Sequence, residues 1–309
     1  MERASHHVSL EQLTAADWEE VCCPTCGAGL RSRLLFRRID GHGIRLCSGC
    51  GLMFVSPRLL PDKLAAIYEG DHDYEGPLFE NFGYERWKRE PAFNLHSTTS
   101  YTVKAMLIDL VSKYLEPKAR LMDVGCGFGL TVLEARQRGF QADGIDISQH
   151  RLRIAHERVG LSLMQGRLEE MHFADATYDG VILWDVLEHV HNPLEILREI
   201  RRITRLGGYI FGQVPNWRGL TNRYKTFLNR HGFARKQFKH FGIPNHVFMF
   251  DEGSLRQMLE RCSFRLVYCR SWSKLKYNVA PSPLARWFHE MLEERNLTDY
   301  LTFVAQRPI

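Results

Sequence analysis

The chain has 309 residues and a mass of 36.0 kDa, enough for two domains or for one large domain with an appendage. Its 44% hydrophobic and 25% charged residues exclude a disordered, collagen-like or fibrous chain. The net charge of +5 is compatible with an anionic partner, and no apolar run reaches the ~18–20 residues of a membrane span. Met1 to Glu20 carries acids and histidines and no apolar stretch of a secretory signal, so a cytoplasmic chain with reduced thiols is expected.

Four of the eight cysteines form Cys23-Pro-Thr-Cys26 and Cys47-Ser-Gly-Cys50, with twenty residues between the pairs. Two residues between thiols let both sulfurs of one tight turn face one ion, which points to a zinc ribbon. Gly27 and Gly51 follow the pairs and are expected to take left-handed turns behind them. Cys23, Cys26, Cys47 and Cys50 leave no open coordination position, so the Zn²⁺ they hold would be structural. Cys22, next to them, reads as a spare thiol. Residues 34–46 read as two short strands around a glycine turn. The module, taken as 18–58, is too small to bury much core, and the metal would supply its folding energy. Arg31, Arg33, Arg37, Arg38 and Arg45 face a single acid, Asp40, as a nucleic-acid or protein surface or simply as a solvated face.

Residues 59–115 read as a helical, aromatic-rich connector or cap. Pro61 opens a short helix, and Tyr68, Tyr74, Phe79, Phe82, Tyr84 and Trp87 follow. Helical spacing of apolar residues resumes from Tyr101 to Leu115.

In Arg120–Gly129 a short apolar strand runs into Gly125-Cys126-Gly127-Phe128-Gly129, and a helix starts at Leu130. The glycines allow a sharp turn and close approach of a ligand to the backbone. A second strand ends in Asp146, which stands 23 positions after Asp123, where an acid reaches ribose hydroxyls. The spacing is neither that of a pyrophosphate-binding turn nor that of a phosphate loop. The acid before the first glycine would repel a pyrophosphate. It suits a ligand with cationic groups, such as the ammonium and sulfonium of S-adenosylmethionine.

Asp-Val-Gly-Cys-Gly-Phe-Gly followed by Gly-Ile-Asp-Ile-Ser resembles the first motif and second-strand acid of class I SAM-dependent methyltransferases. Gly166–Glu170 and Tyr178–Val190, with its Glu-His-Val turn, are similar to the third and fourth strand segments of that family, and Arg205–Ile210 is similar to the turn into its fifth strand. Asn245–Phe250 with Ser254, Leu255, Leu259 and Phe264 resembles a late family segment, except that Ser263 stands where glycine is usual. Arg265–Trp272 and Tyr300–Gln306 would be the last two strands. The cysteine-rich front resembles the ribbon of a bacterial subgroup.

The resemblance implies an α/β, Rossmann-like seven-stranded sheet over 116–309, with an N-terminal zinc ribbon and a lid insertion at about 215–245. It implies that Asp123, Gly125, Gly127 and Gly129 face the methionine part of S-adenosylmethionine. Asp146 would take the ribose hydroxyls, Ile147 would pack on adenine, and Leu168 would offer its backbone to the adenine edge. Trp184 and Asp185 would close the pocket near the methyl group. His189 and His246 are the candidate bases, because imidazole titrates near neutrality; Tyr74, Tyr84 and His240 are further pocket candidates.

Residues 213–250 contain no acid but carry Arg218, Arg223, Lys225, Arg230, Arg235, Lys236 and Lys239 among aromatics. Such a lid suits an anionic small-molecule, glycan-type or carrier-bound acceptor. RNA binding or modification is a second reading, but Trp184-Asp185-Val186-Leu187 stands where a base-targeting Asn/Asp-Pro-Pro-Tyr would be. A third is a zinc-ribbon interaction protein with a degenerate methyltransferase domain.

Overall fold

A computed structural model describes residues 14–27, 32–38, 41–63, 99–231, 233, 241–243, 245–273 and 283–309. Most of the aromatic connector, with Tyr74 and Tyr84, lies outside the described residues, as do His240, Arg31, Asp40, Arg235, Lys236 and Lys239. Among the described residues the chain forms two compact units. One draws on the N-terminal part through Lys63, on Asp185–Leu194 and on Gln213–Phe303; the other draws on 99–184, Glu195–Gly212 and Val304–Ile309.

The first unit begins with β1 (Trp18–Glu19), β2 (Ser32–Arg37), β3 (Gly43–Cys47), β4 (Met53–Val55) and β5 (Arg58–Leu59). β1 pairs with β5, and β2 pairs antiparallel with β3 around the expected glycine turn. β4 pairs antiparallel with β3 and with a distant two-residue strand, Phe248–Met249. The cysteine-bearing front therefore shares a sheet with a late segment of the chain. Ile44, Met53 and Val55 bury their side chains with Phe241, Ile243 and Met249 in one cluster. Arg58, 7% exposed, is held by Glu19 at 2.7 Å and donates to the His191 carbonyl at 3.3 Å.

The second unit opens with α1 (Thr99–Val111), followed by β6 (Arg120–Val124), α2 (Leu130–Gln137), β7 (Gln141–Asp146) and α3 (Gln149–Val159). Then come β8 (Met164–Gln165), β9 (Tyr178–Trp184), α4 (Pro193–Ile203) and β10 (Thr204–Pro215). The first unit continues with α5 (Leu220–Arg230), β11 (Phe248–Met249), α6 (Glu252–Arg261), β12 (Arg265–Trp272) and α7 (Pro283–Glu294), and β13 (Tyr300–Gln306) passes from it into the second. Seven strands form one sheet in the order β12-β13-β10-β9-β6-β7-β8, and β10 and β13 run through both units. β6 pairs parallel with β7 and β9, and β7 with β8. Runs such as Leu121–Val124 and Gly180–Leu183 are continuously buried, as strands covered on both faces are. The expected last two strands form at 265–272 and 300–306.

Helix ends follow their local chemistry. Ser148 caps α3, accepting from the Arg151 amide at 3.3 Å, and Gly160 closes it with φ 68°. Asp251 and Ser254 form a capping box on α6. α4 starts with proline and buries Ile196, Leu197, Ile200 and Ile203 along one stripe.

Arg205–Gly208 departs from the expected turn, because β10 already begins at Thr204. Arg307 extends the ladder there: the Gly207 amide donates to its carbonyl at 2.9 Å, and its own amide donates to Gly208 at 2.8 Å. In the described part of the expected lid, α5 buries no residue and exposes Tyr224 and Phe227. No helix among the described residues is long and apolar enough to cross a membrane.

Candidate functional site

The sheet order reverses at β6: the chain runs outward through β7 and β8, then returns to β9 on the other side. Ligands of open α/β sheets bind outside the carboxyl ends of the strands at such a switch point. The sequence places Asp123, the glycine turn and Trp184 there.

Gly125, Gly127 and Gly129 all have positive φ, at 70°, 55° and 73°. A Cβ on Gly129 would lie 2.7 Å from Leu161, so this glycine lets the turn pack. A Cβ on Gly127 would meet nothing within 4 Å, which leaves that side of the turn open to a ligand. The Gly125 and Cys126 amides donate to the Ile145 carbonyl at 2.8 and 3.0 Å and pin the turn to β7. The Asp146 carboxylate accepts from the Gly127 amide and from the Ser148 amide, each at 2.8 Å. Ile147 is 49% exposed, and Leu168 is buried at the start of a 3₁₀ turn.

Asp123 is 3% exposed, and its Oδ2 has no hydrogen-bond partner. Burial pushes its carboxyl up to about 7, against the opposing pull of Lys104 and a hydrogen bond with Thr131. The Lys104 ammonium lies 5.1 Å from the centre of the Trp184 ring. Lys104 went unnoticed in the sequence, where its only signal is a place on the helical stretch before β6. The Tyr101 hydroxyl donates to Glu134, which ties α1 to α2 behind the turn. A cavity of about 460 Å³ lies instead at the beginnings of β6 and β9, lined by Arg120, Asp143 and Tyr178 among others. It sits at the wrong end of the strands for the cofactor.

Asp185 follows Trp184 directly and belongs to the first unit. Its φ of 55° is unusual for a residue with a Cβ. Its Oδ1 accepts from the Gln213 side chain at 2.7 Å, and the Trp272 indole in turn donates to Gln213. Sequence reading missed this relay, whose members are far apart in the chain. Glu188 is fully buried; burial and the Asp185 charge push its carboxyl well above the usual range. The His189 and His246 rings meet edge to face, 4.7 Å between centres. His189 Nδ1 lies 3.1 Å from the Asn245 carbonyl, which can only accept. Nδ1 therefore carries a proton. Burial lowers His246 to about 4, partly opposed by Asp185, so this imidazole is neutral at pH 7.

Cys23, Cys26, Cys47 and Cys50 converge, their sulfurs all within 4.8 Å of one another and paired at 3.4 and 3.2 Å. A tetrahedron with Zn–S of about 2.3 Å has edges of about 3.8 Å, so the donor set and its size fit zinc. Gly27 and Gly51 take the expected left-handed turns, at φ 66° and 72°.

The methyltransferase domain family model matches residues 99–268, more than half of the chain. The chain belongs to this family. It is 24% identical over 176 residues to a demethylmenaquinone methyltransferase of Lysinibacillus sphaericus, covering 52% of this chain and 71% of that protein. It is 30% identical over 126 residues to a ubiquinone biosynthesis O-methyltransferase of Rickettsia felis, covering 38% of this chain and 51% of that one. The chain thus spans about half the length of the second relative. A SAM-dependent methyltransferase from Archaeoglobus fulgidus superposes with a TM-score of 0.51 at 19% identity, over 76% of this chain and all of the other. One from Thermotoga maritima gives 0.50 at 18%, over 76% and 99%. Both share the fold of this chain, a class I SAM-dependent methyltransferase.

Proposed function

We propose that this protein transfers a methyl group from S-adenosylmethionine to an ionisable hydroxyl of a small-molecule or glycan-type acceptor. The observation that carries this reading is Asp123: a buried carboxylate with an unpartnered oxygen, next to a glycine turn whose Gly127 side is open. A buried carboxylate oxygen without a hydrogen bond is costly, and a ligand ammonium would satisfy it. Asp123, Gly125, Gly127 and Gly129 would hold the methionine part, Asp146 the ribose hydroxyls, Ile147 and Leu168 the adenine. Trp184 and Asp185 would border the reacting end. When bound, S-adenosylmethionine supplies a methyl group on a sulfonium leaving group. The protein's share is to position the acceptor, exclude water and manage its proton.

His189 and His246 are the groups suited to that proton, since imidazole exchanges a proton near neutrality. The basic stretch 213–250 favours an acceptor that reacts as an oxyanion or carries another negative group. The names of the quinone-pathway relatives support an acceptor hydroxyl on a small ring. The four cysteines would hold one structural zinc ion, and a reducing cytoplasm would keep their thiols available.

Calorimetric titration of S-adenosylhomocysteine into zinc-loaded protein tests the cofactor site. Micromolar binding, lost in Asp146→Ala, supports it, and release of S-adenosylhomocysteine from a panel of phenolic and sugar hydroxyls then identifies the acceptor. Absence of binding by folded wild type overturns the reading.

A further inference from the structure

We infer that Glu188, His189 and His246 hold a divalent metal ion, at a site separate from the four cysteines. One donor atom from each lies within 4.8 Å of the others. Glu188 has no exposed surface, and neither of its carboxylate oxygens has a hydrogen-bond partner. A buried carboxylate left without bonds is expensive, and a cation at this point supplies the missing partner. The imidazoles are arranged as ligands are. The His189 Nδ1–H donates to the Asn245 carbonyl at 3.1 Å, which fixes the ring.

The frame around them is tied together by the backbone. The Val247 and Phe248 amides both donate to the Glu188 carbonyl, at 2.8 and 3.3 Å, so the turn bearing Glu188 and His189 is joined to the segment bearing His246. Gly242 makes room for the second imidazole, because a Cβ there would fall 2.5 Å from His246 Nδ1.

Two imidazoles and one carboxylate suit a first-row transition ion such as Mn²⁺, Fe²⁺, Co²⁺ or Zn²⁺ better than Ca²⁺ or Mg²⁺. Three protein ligands leave coordination positions open. The inference rests on the methyltransferase reading only for its chemical consequence. An acceptor hydroxyl at an open position would lose its proton to solvent more readily. The two histidines would then act through the ion and not as direct bases.

The test is a Mn²⁺ titration, followed by electron paramagnetic resonance, of full-length protein given one zinc equivalent per chain. The four thiolates take the zinc, and Mn²⁺ prefers nitrogen and oxygen donors. The expected result is one bound Mn²⁺ per chain, with affinity lowered at least about tenfold in both Glu188→Gln and His246→Gln. Circular dichroism and Tm confirm that each variant folds; His189→Gln replaces either one that does not. No stoichiometric Mn²⁺ in wild type, or undiminished binding in the variants, overturns the inference. S-adenosylhomocysteine binding on the same samples reports the cofactor site independently, so the two readings fail separately.

Discussion

The Gly127 amide donates a 2.8 Å hydrogen bond to Asp146 Oδ2, so the acid at the end of the second core strand is also the clamp on the glycine turn. The other oxygen accepts from Ser148 at the start of the following helix. One carboxylate therefore orders both sides of the proposed cofactor cleft before any ligand arrives.

That double duty makes Asp146→Ala worse than the loss of ribose contacts alone. Hydrogen bonds to a charged acceptor contribute about 1.5–3 kcal/mol each. We expect a stability loss of about 2 kcal/mol by denaturant titration, together with a fall of at least about tenfold in S-adenosylhomocysteine affinity. Asp146→Asn retains an acceptor oxygen and should fall between the two. Unchanged affinity in Asp146→Ala would remove this residue from the cofactor site.

The glycine turn, the acid 23 positions later and the paired cysteines were legible because their meaning is local: each needs a fixed spacing along one short segment. The outer strands at 265–272 and 300–306 were legible from their place in the family order. Other features had no local signature. Phe248–Met249 joins the sheet of the cysteine-bearing front through a partner almost two hundred residues away, Phe54–Met53. Lys104 acquires meaning only beside Asp123 and Trp184, and Gln213 only between Asp185 and Trp272. Glu188 read as one letter of a familiar turn, and only its burial shows that its carboxylate is unpartnered.

The raised Asp123 carboxyl gives a pH dependence of defined sign. It ionises near 3.8 in an unfolded chain and near 7 when buried in the ligand-free fold. Between these values the folded state keeps a proton that the unfolded chain has lost. This contribution to stability is complete below about pH 4 and is lost as the pH rises through about 7. A ligand ammonium favours the ionised form, so S-adenosylhomocysteine affinity should rise from about pH 5.5 to 7.5, by at most about tenfold per unit. Asp123→Asn should flatten both dependences. Calorimetry at several pH values decides this, and a wild-type affinity that falls over the same interval would contradict it.

If the four cysteines hold zinc as proposed, its removal should reach beyond them. β3 ends at Cys47, while β4 bridges β3 and β11, so loosening the thiolates releases a sheet with strands from both ends of the sequence. Structural zinc contributes on the order of 10 kcal/mol in small modules. Part of that should appear here as a lowered Tm and red-shifted tryptophan emission on chelation, since Trp217 packs against the same cluster. Cys47→Ser should purify with less zinc and melt at the lower temperature even without chelator. Chelation that removes zinc but leaves Tm unchanged would show that the sheet stands without it.

Ser263 offers a stabilising substitution. It follows α6 at φ 57°, in the left-handed region where a Cβ costs about 1–2 kcal/mol. The helix ends there with the Ser263 amide donating to Glu260 at 2.9 Å and the Phe264 amide reaching back to Leu259 at 3.0 Å. Phe264 is buried beyond the turn, so the conformation is set by packing and not by the serine, whose side chain is exposed. Glycine adopts the same backbone without a Cβ but loses more freedom on folding. The balance favours Ser263→Gly by about 0.5–1 kcal/mol, or roughly 1–3 °C in Tm for a chain of this size. Differential scanning calorimetry measures this directly. A lower Tm would mean that entropy outweighs strain at this helix end.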